Sequence, residues 1–391
     1  MNYIGIDVAK DKHDCVILNQ LGEVLHKPFT IQNNKEGFQK LLDISNSVFS
    51  EKAEFQVALE ATGHYHLNLL NFLLGNNFTT FVLNPLHTNL YRKSQTLRKT
   101  KTDKTDAISI AKMLFSELDL QPYSVKQQES EDLKSYTRYR FDKVQERAKL
   151  KQSISRLVTI LFPELEKFFS KLHLASVYAL LTGYPSAKSI SEADLEELTA
   201  ILKTSSKGKM GKCRAEIIQE AARKSIGSHL PAKALELKNT IKKVQALDEE
   251  IKEIEKEIHN ILKEIDSPIF SIPGIGENMG AMILAEIGDF SRFSSPDKIL
   301  AFSGMSPTTY QSGQMYSTHA KMEKRGSRYL RYALYNATKF VCNWSPVFKE
   351  YLAKKRAEGK HYNVALSHAT KKLVRVIYQL QKSGETYKVA A

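Results

Sequence analysis

Four carboxylates stand where strand ends and a helix start would gather them. Asp7 ends the first short apolar run, and Glu60 ends a later run of alternating apolar residues. Asp103 and Asp106 are three residues apart, so in a helix they share one face. Two carboxylates about 4 Å apart repel by about 4 kcal/mol at an effective dielectric constant of 20, so such a cluster needs protons or a cation. Oxygen ligands favour Mg²⁺, or Mn²⁺, over zinc, and these ions assist phosphodiester chemistry.

Two simpler interpretations of the same acids stay open at this point. The four carboxylates could be unrelated surface residues, because 26% of the chain is charged. Lys10 and Lys104 could also neutralise the cluster without any metal. Lys101 and Lys104, on either side of Asp103, are also predicted to contact nucleic acid.

Basic residues recur at steps of three and four near the carboxyl-terminal end, at Lys321, Lys324, Arg325, Arg328 and Arg331. In a helix most of them would share one face, which favours phosphate contacts that are salt-sensitive and independent of sequence. The alternative is an ordinary solvated helix face. A tight turn with Gly274 and Gly276 could present backbone N–H groups to a phosphate, and a plain capping turn explains it equally well.

The elements that must position these residues change type along the chain. Short β-type runs before residue 85 alternate with helical patterns, which predicts an α/β domain with a mixed sheet. From about residue 129 the strand signals vanish and helical patterns dominate. Apolar residues at steps of three and four over 237–265 predict a narrow seam, either a coiled coil between copies or a long hairpin; the alternative is a helix packed within its own domain. A basic, glycine-containing loop is predicted at 203–214.

Composition limits the class of protein. The 391 residues carry 57 Lys and Arg against 43 Asp and Glu, a net charge of +14, which favours a polyanionic partner, with nucleic acid first. No apolar run reaches the length of a membrane span, so no membrane partner is predicted. Three widely separated cysteines are typical of reduced thiols inside the cell, without metal-ligand spacing.

The order of these motifs resembles a transposase family, the insertion-sequence one-ten family, which is related to the pilin-gene invertases. The motifs of the amino-terminal half are YIGIDVAK at 3–10, LEATG at 59–63 and KTDKTDA at 101–107. Those of the carboxyl-terminal half are IPGIG at 272–276, EIGDF at 286–290, QSG at 311–313 and KRGSRYLR at 324–331. The resemblance covers nearly the whole chain in the right order.

The resemblance implies three domains and two sets of catalytic residues. A RuvC-like (RNase H-type) mixed-sheet domain would span 1–125, a helical linker and coiled coil 126–266, and a mainly α transposase domain 267–391. An acidic tetrad maps onto Asp7, Glu60, Asp103 and Asp106. The nucleophilic serine maps best onto Ser312, with Ser317 as its closest rival.

The resemblance also implies partners and a location. Members of the family resemble recombinases guided by a structured non-coding RNA. This RNA pairs with both donor and target DNA. Their tetrad and serine form a composite site across subunits, which implies a homo-oligomer, a dimer or tetramer, joined through the coiled coil. The expected location is the bacterial cytoplasm, in association with the nucleoid.

Three functions are therefore consistent with the sequence. The leading one is an RNA-guided DNA transposase that forms a covalent phosphoserine with help from Mg²⁺. The second is a RuvC-like nuclease that hydrolyses branched DNA with the tetrad alone. The third is a non-catalytic protein that binds nucleic acid by charge.

Overall fold

The computed structural model describes most of the chain in two compact units. The described residues are 1–48, 55–95, 102–116, 120–124, 130–308, 311–312, 315–316 and 321–388. The first unit is Met1–Glu129 and the second is Ser130–Ala391. Lys101, Ser317 and the side chain of Ser312 lie outside the described residues. The predicted boundary at 267 falls within the second unit, so the three-part division stays a prediction.

The first unit is built on a mixed sheet, as the sequence predicts. Its described strands are β1 (Asn2–Val8), β2 (Lys12–Leu18), β3 (Val24–Gln32), β4 (Phe55–Glu60) and β5 (Thr79–Leu83). Their order across the sheet is β3-β2-β1-β4-β5. The pairs β1–β2 and β2–β3 are antiparallel, whereas β1–β4 and β4–β5 are parallel. The carboxyl ends of β1, β4 and β5 therefore meet at one edge of the sheet.

Helices cover this sheet. They are α1 (Lys35–Val48), α2 (His66–Gly75), α3 (Pro85–Gln95) and α4 (Asp103–Met113). The aliphatic residues of β1 and β4, such as Ile4, Ile6 and Val57, are fully buried with Leu41 and Leu69 of the helices. Burying each such side chain contributes about 1.5–3 kcal/mol, so the sheet has a substantial core on this side.

The second unit is helical, and residues 130–308 contain no strand. Its helices are α5 (Glu131–Leu161), α6 (Ala175–Gly183), α7 (Ala187–Ser191), α8 (Leu195–Ser205), α9 (Lys212–Arg223), α10 (Pro231–Leu262), α11 (Glu277–Ile287), α12 (Pro296–Phe302), α13 (Arg328–Trp344), α14 (Pro346–Ala357) and α15 (Tyr362–Ser383). Short 3₁₀ turns lie at Pro163–Phe168, Pro268–Ser271 and Phe290–Arg292. Two short strands, β6 (Gln311–Ser312) and β7 (Met315–Tyr316), pair with each other.

The apolar seam lies on α10 and is buried within this chain. Leu237, Ile241 and Val244 belong to a core that includes residues of α5, and Ile254 and Ile258 pack in a second cluster with Leu133. The prediction that this strip joins two copies is therefore wrong for these residues, and the alternative, a helix packed within its own unit, is what the structure has.

Charged pairs flank the seam and fix the direction of the two helices. The α5–α10 pairs are Arg140–Glu255, Arg147–Asp248 and Arg156–Glu236. Higher residue numbers on α5 meet lower numbers on α10, so the helices are antiparallel.

Among the described residues, no helix combines the length and apolar character required to cross a bilayer.

Candidate functional site

The glycine at position 5 of β1 has no side chain, which allows α4 to lie directly against the sheet. A Cβ at Gly5 would overlap the carbonyl oxygen of Ala107 and stand 2.7 Å from the Cβ of Ala111. Both alanines are fully buried. Any larger residue at position 5 would force α4 away, so glycine here sets the distance between the helix and the strand that carries Asp7.

The start of α4 is fixed by reciprocal capping. Thr102 accepts the N–H of Thr105 at 3.2 Å, and the Thr105 hydroxyl accepts the N–H of Thr102 at 3.1 Å. Such a cap stabilises a helix by about 1 kcal/mol. It places Asp106 in the first turn, beside the end of β1.

Three of the four predicted acids line one cavity of about 200 Å³. Asp7 comes from β1, Glu60 from the end of β4 and Asp106 from α4. The remaining lining residues are Pro85, Thr88, Asn89, Arg92, Ser109 and Ile110. The parallel pairing of β1 with β4 explains this, because both strands deliver their last residues to the same edge.

The carboxylates of the cavity have partners. Glu60 accepts hydrogen bonds from the hydroxyls of Thr62, at 3.0 Å, and Thr88. Asp106, whose side chain is 14% exposed, accepts a charged bond from Arg92 at 3.3 Å. Arg92 also donates to Asn89 at 2.9 Å, so it is held in the cavity by α3. Hydroxyls and a guanidinium thus offset negative charge that would otherwise repel.

Asp103 does not line the cavity. Its side chain is 58% exposed, and its carboxylate lies 3.5 Å from Lys12 Nζ. Asp14 first, and then Asp103, raise the pKa of Lys12. Among the described residues, Lys12 therefore pairs with Asp103 and Arg92 with Asp106, whereas the sequence pointed to Lys10 and Lys104.

The donor types fit a hard divalent cation, but their spacing is wider than a metal site requires. Carboxylate, hydroxyl and amide oxygens are the ligands of Mg²⁺. Within the described part of the chain, no three His, Cys, Asp or Glu residues are close enough together to hold an ion. Asp7, Glu60 and Asp106 line the same cavity, and they would have to come closer together to hold such an ion.

Sequence reasoning missed Thr88, Asn89 and Arg92. All three lie on α3, which begins two residues after β5 ends. A helix starting so close to the carboxyl end of a parallel strand must cross the edge where the other strands end, and this is the signal that would have found them.

The predicted serine lies on a long hairpin between α12 and α13. Ser312 is in β6 and pairs with Met315 of β7. Further from the tip, Thr308 N–H donates to Lys321 at 2.7 Å and Pro307 pairs with Met322. At the base, Lys324 N–H donates to Gly304 at 3.0 Å and Ser327 N–H to Phe302 at 2.9 Å. We call residues 303–327 the serine hairpin.

Arg331 closes the base of the serine hairpin. Its Nη1 donates to the carbonyl of Ser303 at 2.9 Å and to that of Lys324 at 3.3 Å. These two carbonyls belong to opposite arms. The bonding differs from the predicted phosphate contact and makes Arg331 a clamp on the backbone.

The other basic residues of this region do not share a helical face, so that prediction is wrong. The helix α13 begins at Arg328, because the Ser327 hydroxyl caps it by accepting the N–H of Leu330 at 3.1 Å. Lys324 and Arg325 precede the helix and are exposed. Arg328 is exposed and lies 3.7 Å from Asp142. Lys324, Arg325 and Arg328 stay predicted phosphate contacts.

A buried carboxylate anchors the start of α13. Glu286, whose side chain is 1% exposed, receives two bonds from Arg138 of α5, at 2.5 and 3.0 Å. The Ser327 hydroxyl donates to the same carboxylate at 2.6 Å. One residue of the EIGDF motif therefore ties α5 and α11 to the end of the serine hairpin.

The two glycines of the predicted phosphate turn have different surroundings. A Cβ on Gly274 would come within 2.7 Å of the Phe340 backbone, so close packing on α13 explains that glycine. Gly276 precedes α11 in open space and has no side-chain cap. Both line a cavity of about 440 Å³ with the exposed rings of Phe340 and Trp344.

Comparisons with known proteins agree over both units. A family model described as a transposase matches residues 4–163, and one described as the transposase IS116/IS110/IS902 family matches residues 266–353. The 44.8 kDa protein of insertion element IS116 from Streptomyces clavuligerus is 24% identical, over 98% of this chain and 96% of the relative. The pilin gene-inverting protein of Moraxella bovis is also 24% identical, over 98% of this chain and 97% of that protein.

Proposed function

Because the chain belongs to the IS110 family of transposases, we propose that it cuts and rejoins DNA through a covalent phosphoserine at Ser312, guided by RNA. Mg²⁺ bound by the acids of the first unit would assist. The observation that carries this proposal is the cavity in which Asp7, Glu60 and Asp106 meet.

The proposed RuvC-like (RNase H-type) character of the first unit rests on its sheet. The order β3-β2-β1-β4-β5, with β2 antiparallel to β1 and with β1, β4 and β5 parallel, supports that assignment. The positions of Asp7 and Glu60 at the ends of the adjacent strands β1 and β4 support it further.

In the proposed serine chemistry, each bond that forms replaces one that breaks. The Ser312 oxygen attacks a phosphorus atom of the DNA backbone, which forms a Ser–O–P bond and breaks one P–O bond to a sugar. The serine hydroxyl gives up its proton, and the departing sugar oxygen takes one up and becomes a hydroxyl. Attack by a sugar hydroxyl of another strand reverses these changes and frees the serine, so rejoining needs no external energy source.

The first unit's residues have separate proposed roles. Asp7, Glu60 and Asp106 would hold Mg²⁺, which when bound supplies positive charge near the reacting phosphate. Arg92 neutralises Asp106 and keeps its guanidinium in the cavity, where it is placed to contact a phosphate oxygen. Thr88 orients the Glu60 carboxylate by donating to it. Asp103 is proposed as the fourth acid from the family pattern.

The decisive experiment looks for a protein–DNA adduct that survives denaturation. Protein, the RNA that co-purifies with it and end-labelled donor and target DNA are incubated with Mg²⁺ and separated on a denaturing gel. We expect an adduct from the wild-type protein and none from Ser312→Ala. The matched control is Ser317→Ala, which should still form it. If Ser317→Ala alone abolishes the adduct, Ser317 is the nucleophile.

The same gel separates the alternatives. Nicking that persists in Ser312→Ala but is lost in Asp7→Asn would favour hydrolysis by the acidic cavity alone. Binding without any cleavage, in every variant, would favour a non-catalytic nucleic-acid-binding protein. Omitting the RNA tests guidance, since the proposal expects the adduct only with its cognate RNA.

Shared sites between subunits are tested by mixing two inactive proteins. Ser312→Ala and Asp7→Asn each lack one half of the proposed machinery. If one copy supplies the acids and another the serine, a mixture of the two variants regains adduct formation at about a quarter of the wild-type yield. No recovery after co-refolding would mean that each copy uses its own pair.

A further inference from the structure

A group of cations at one turn of the second unit has no part in the proposed chemistry. Helix α8 ends at Ser205 and α9 begins at Lys212. The predicted basic loop at 203–214 therefore runs from the last turn of α8 into the first turn of α9. Its four exposed lysines, which we call the basic turn, are Lys203, Lys207, Lys209 and Lys212.

These lysines form no ion pair among the described residues. From 203 to 214 the sequence contains no Asp or Glu. In the described ranges, no carboxylate forms an ion pair with any residue of the basic turn. The carboxylate of Glu220 on α9 pairs instead with Arg223 and Lys224, at the opposite end of that helix. By contrast, Arg156 and Lys233 elsewhere in this unit share Glu236.

The local backbone adds to the positive potential. Helix α9 begins after Gly211 with no side-chain cap and no acidic residue in its first turn. The unpaired N–H groups and dipole of a helix start are positive, so a natural sequence usually places acids there. Here Lys212 occupies the first turn, which is unfavourable in the absence of an anion. Lys207 also adopts a left-handed conformation, with φ of 58°, which tightens the turn.

The side chains present favour a duplex over a single strand. Proteins that hold single strands stack bases on aromatic rings. No Phe, Tyr or Trp occurs between Tyr184 and Phe270. Lysines act as point charges that suit phosphate contacts without base recognition. A lipid surface would need an apolar anchor, but Met210 is partly buried against the core of this unit.

We propose that the basic turn contacts the sugar–phosphate backbone of duplex DNA, independently of sequence. No residue of the basic turn lines the acidic cavity or belongs to the serine hairpin. The basic turn therefore contributes to holding the DNA and takes no part in bond exchange. The proposal requires only that the full-length protein binds duplex DNA, and it does not depend on which serine reacts.

The test measures how binding depends on salt. The dissociation constant for a labelled 40-base-pair DNA is measured between 50 and 300 mM KCl for the full-length protein and two triple variants. The test variant is Lys207→Gln, Lys209→Gln and Lys212→Gln. The control variant removes three exposed lysines of α10 in the same unit: Lys242→Gln, Lys243→Gln and Lys256→Gln.

Each phosphate contact contributes about 0.9 to the slope of log K against log salt concentration. We expect the test variant to lose about 2.7 from that slope and to bind at least about tenfold more weakly at 50 mM salt. The control should keep the wild-type slope. Equal slopes for all three proteins would overturn the proposal. The same titration is made with an RNA duplex of the same length. If the test variant loses affinity only for the RNA duplex, the proposal is overturned in favour of an RNA partner.

A second measurement covers the case in which the triple variant does not fold. Wild-type protein is acetylated briefly with and without the DNA duplex, and the modified lysines are quantified by mass spectrometry. We expect DNA to protect Lys207 and Lys209 at least about threefold more than Lys242 and Lys243. Equal reactivity with and without DNA would contradict the proposal. Because neither measurement involves cleavage, a failed adduct assay and a failed basic turn are distinguishable.

Discussion

Replacing Arg331 separates two roles that the sequence cannot distinguish. The spacing of basic residues predicts a phosphate contact, whereas the structure has the guanidinium bonded to the carbonyls of Ser303 and Lys324. Arg331→Met keeps a long apolar stem and removes both bonds. The clamp and the phosphate contact then predict opposite results for chemistry and binding.

The expected loss of free energy follows from the two hydrogen bonds that Arg331→Met removes. The bond to Ser303 is short, at 2.9 Å, and joins a charged donor to the carbonyl of a fully buried residue. A hydrogen bond to a charged group contributes about 1.5–3 kcal/mol, and the second, longer bond adds less. We therefore expect closure of the hairpin base to weaken by about 2 kcal/mol, which is about 30-fold in the closing equilibrium.

Two measurements check this expectation. Hydrogen exchange at the amides of Lys324 and Ser327, which bond across the base, should become up to about 30-fold faster in Arg331→Met. The single-turnover rate of adduct formation at saturating DNA should fall by up to the same factor, while the salt slope of DNA binding stays unchanged. Arg331→Lys keeps the positive charge but replaces the planar guanidinium by a single ammonium group. Its rate of adduct formation should therefore lie between those of the wild-type protein and Arg331→Met.

The opposite pattern would refute the clamp. If Arg331→Met forms adduct normally at saturating DNA and exchanges amides normally, but loses about 0.9 from the salt slope, Arg331 contacts phosphate as the sequence alone predicts. Arg325→Met is the matched control, because Arg325 is exposed and precedes the helix. It should change the slope without changing the exchange of the base amides.

Three further perturbations address the parts that hold the site. Gly5→Ala should destabilise the first unit by about 1–3 kcal/mol in urea unfolding and abolish adduct formation, because the added Cβ overlaps α4. In the control Gly75→Ala the added Cβ meets open space, so stability and adduct formation should both stay unchanged. Burial lowers the pKa of His13, so on acidification the unfolded chain binds a proton before the folded chain does. The stability of the first unit should therefore fall as the pH drops below about 6.5. His13→Gln should remove this pH dependence, whereas His87→Gln, at an exposed position of the same unit, should keep it. Glu286→Gln should cost the second unit about 1.5–3 kcal/mol in the same unfolding assay, because it weakens the bonds from Arg138 and the Ser327 hydroxyl; an unchanged midpoint would contradict the anchoring role.

The strands and the acidic edge were accessible from the sequence. Alternating apolar runs predict β1 to β5, and acids that end parallel strands must meet, which brings Asp7 and Glu60 together. Asp103 departs from this pattern for a geometric reason. Residues three apart on a helix differ by about 60° in direction, and Asp103 is the first residue of α4, so its side chain is directed toward Lys12 and solvent.

The misassigned seam on α10 had a signal on another helix. A narrow apolar strip with charged flanks is typical of a helix pair but does not name its partner. The clue lies on α5, where Arg140, Arg147 and Arg156 match the acids Glu255, Asp248 and Glu236 in reverse order. An antiparallel charge match between two long helices of one chain favours an internal pair, and only the three-dimensional pairing establishes it.

The roles of the basic residues before α13 were not accessible from spacing, because the helix start was unknown. Ser327 caps the helix through its side chain, so residues 321–326 lie in the arm of the hairpin. Because this arm is not helical, a spacing of three or four residues does not place its basic residues on one face. Gly326, with φ of 138°, makes this arm possible, since a Cβ would overlap the Phe302 carbonyl. A glycine followed by a capping serine is the local signal that ends the arm and starts the helix.

Bonds between described residues hold the serine hairpin at its base, and this anchoring suits its proposed chemistry. Closing a loop costs free energy that grows slowly with its length, so a firm closure at the base can offset the cost of closing a long segment. Arg331, Glu286 and the backbone bonds supply that closure far along the chain from Ser312. A nucleophile that must reach a DNA strand needs freedom at the tip but a fixed origin, because each lost ångström of positioning reduces the rate. Loosening the base should therefore lower the rate of bond exchange without lowering the affinity for DNA, which is the result expected of Arg331→Met.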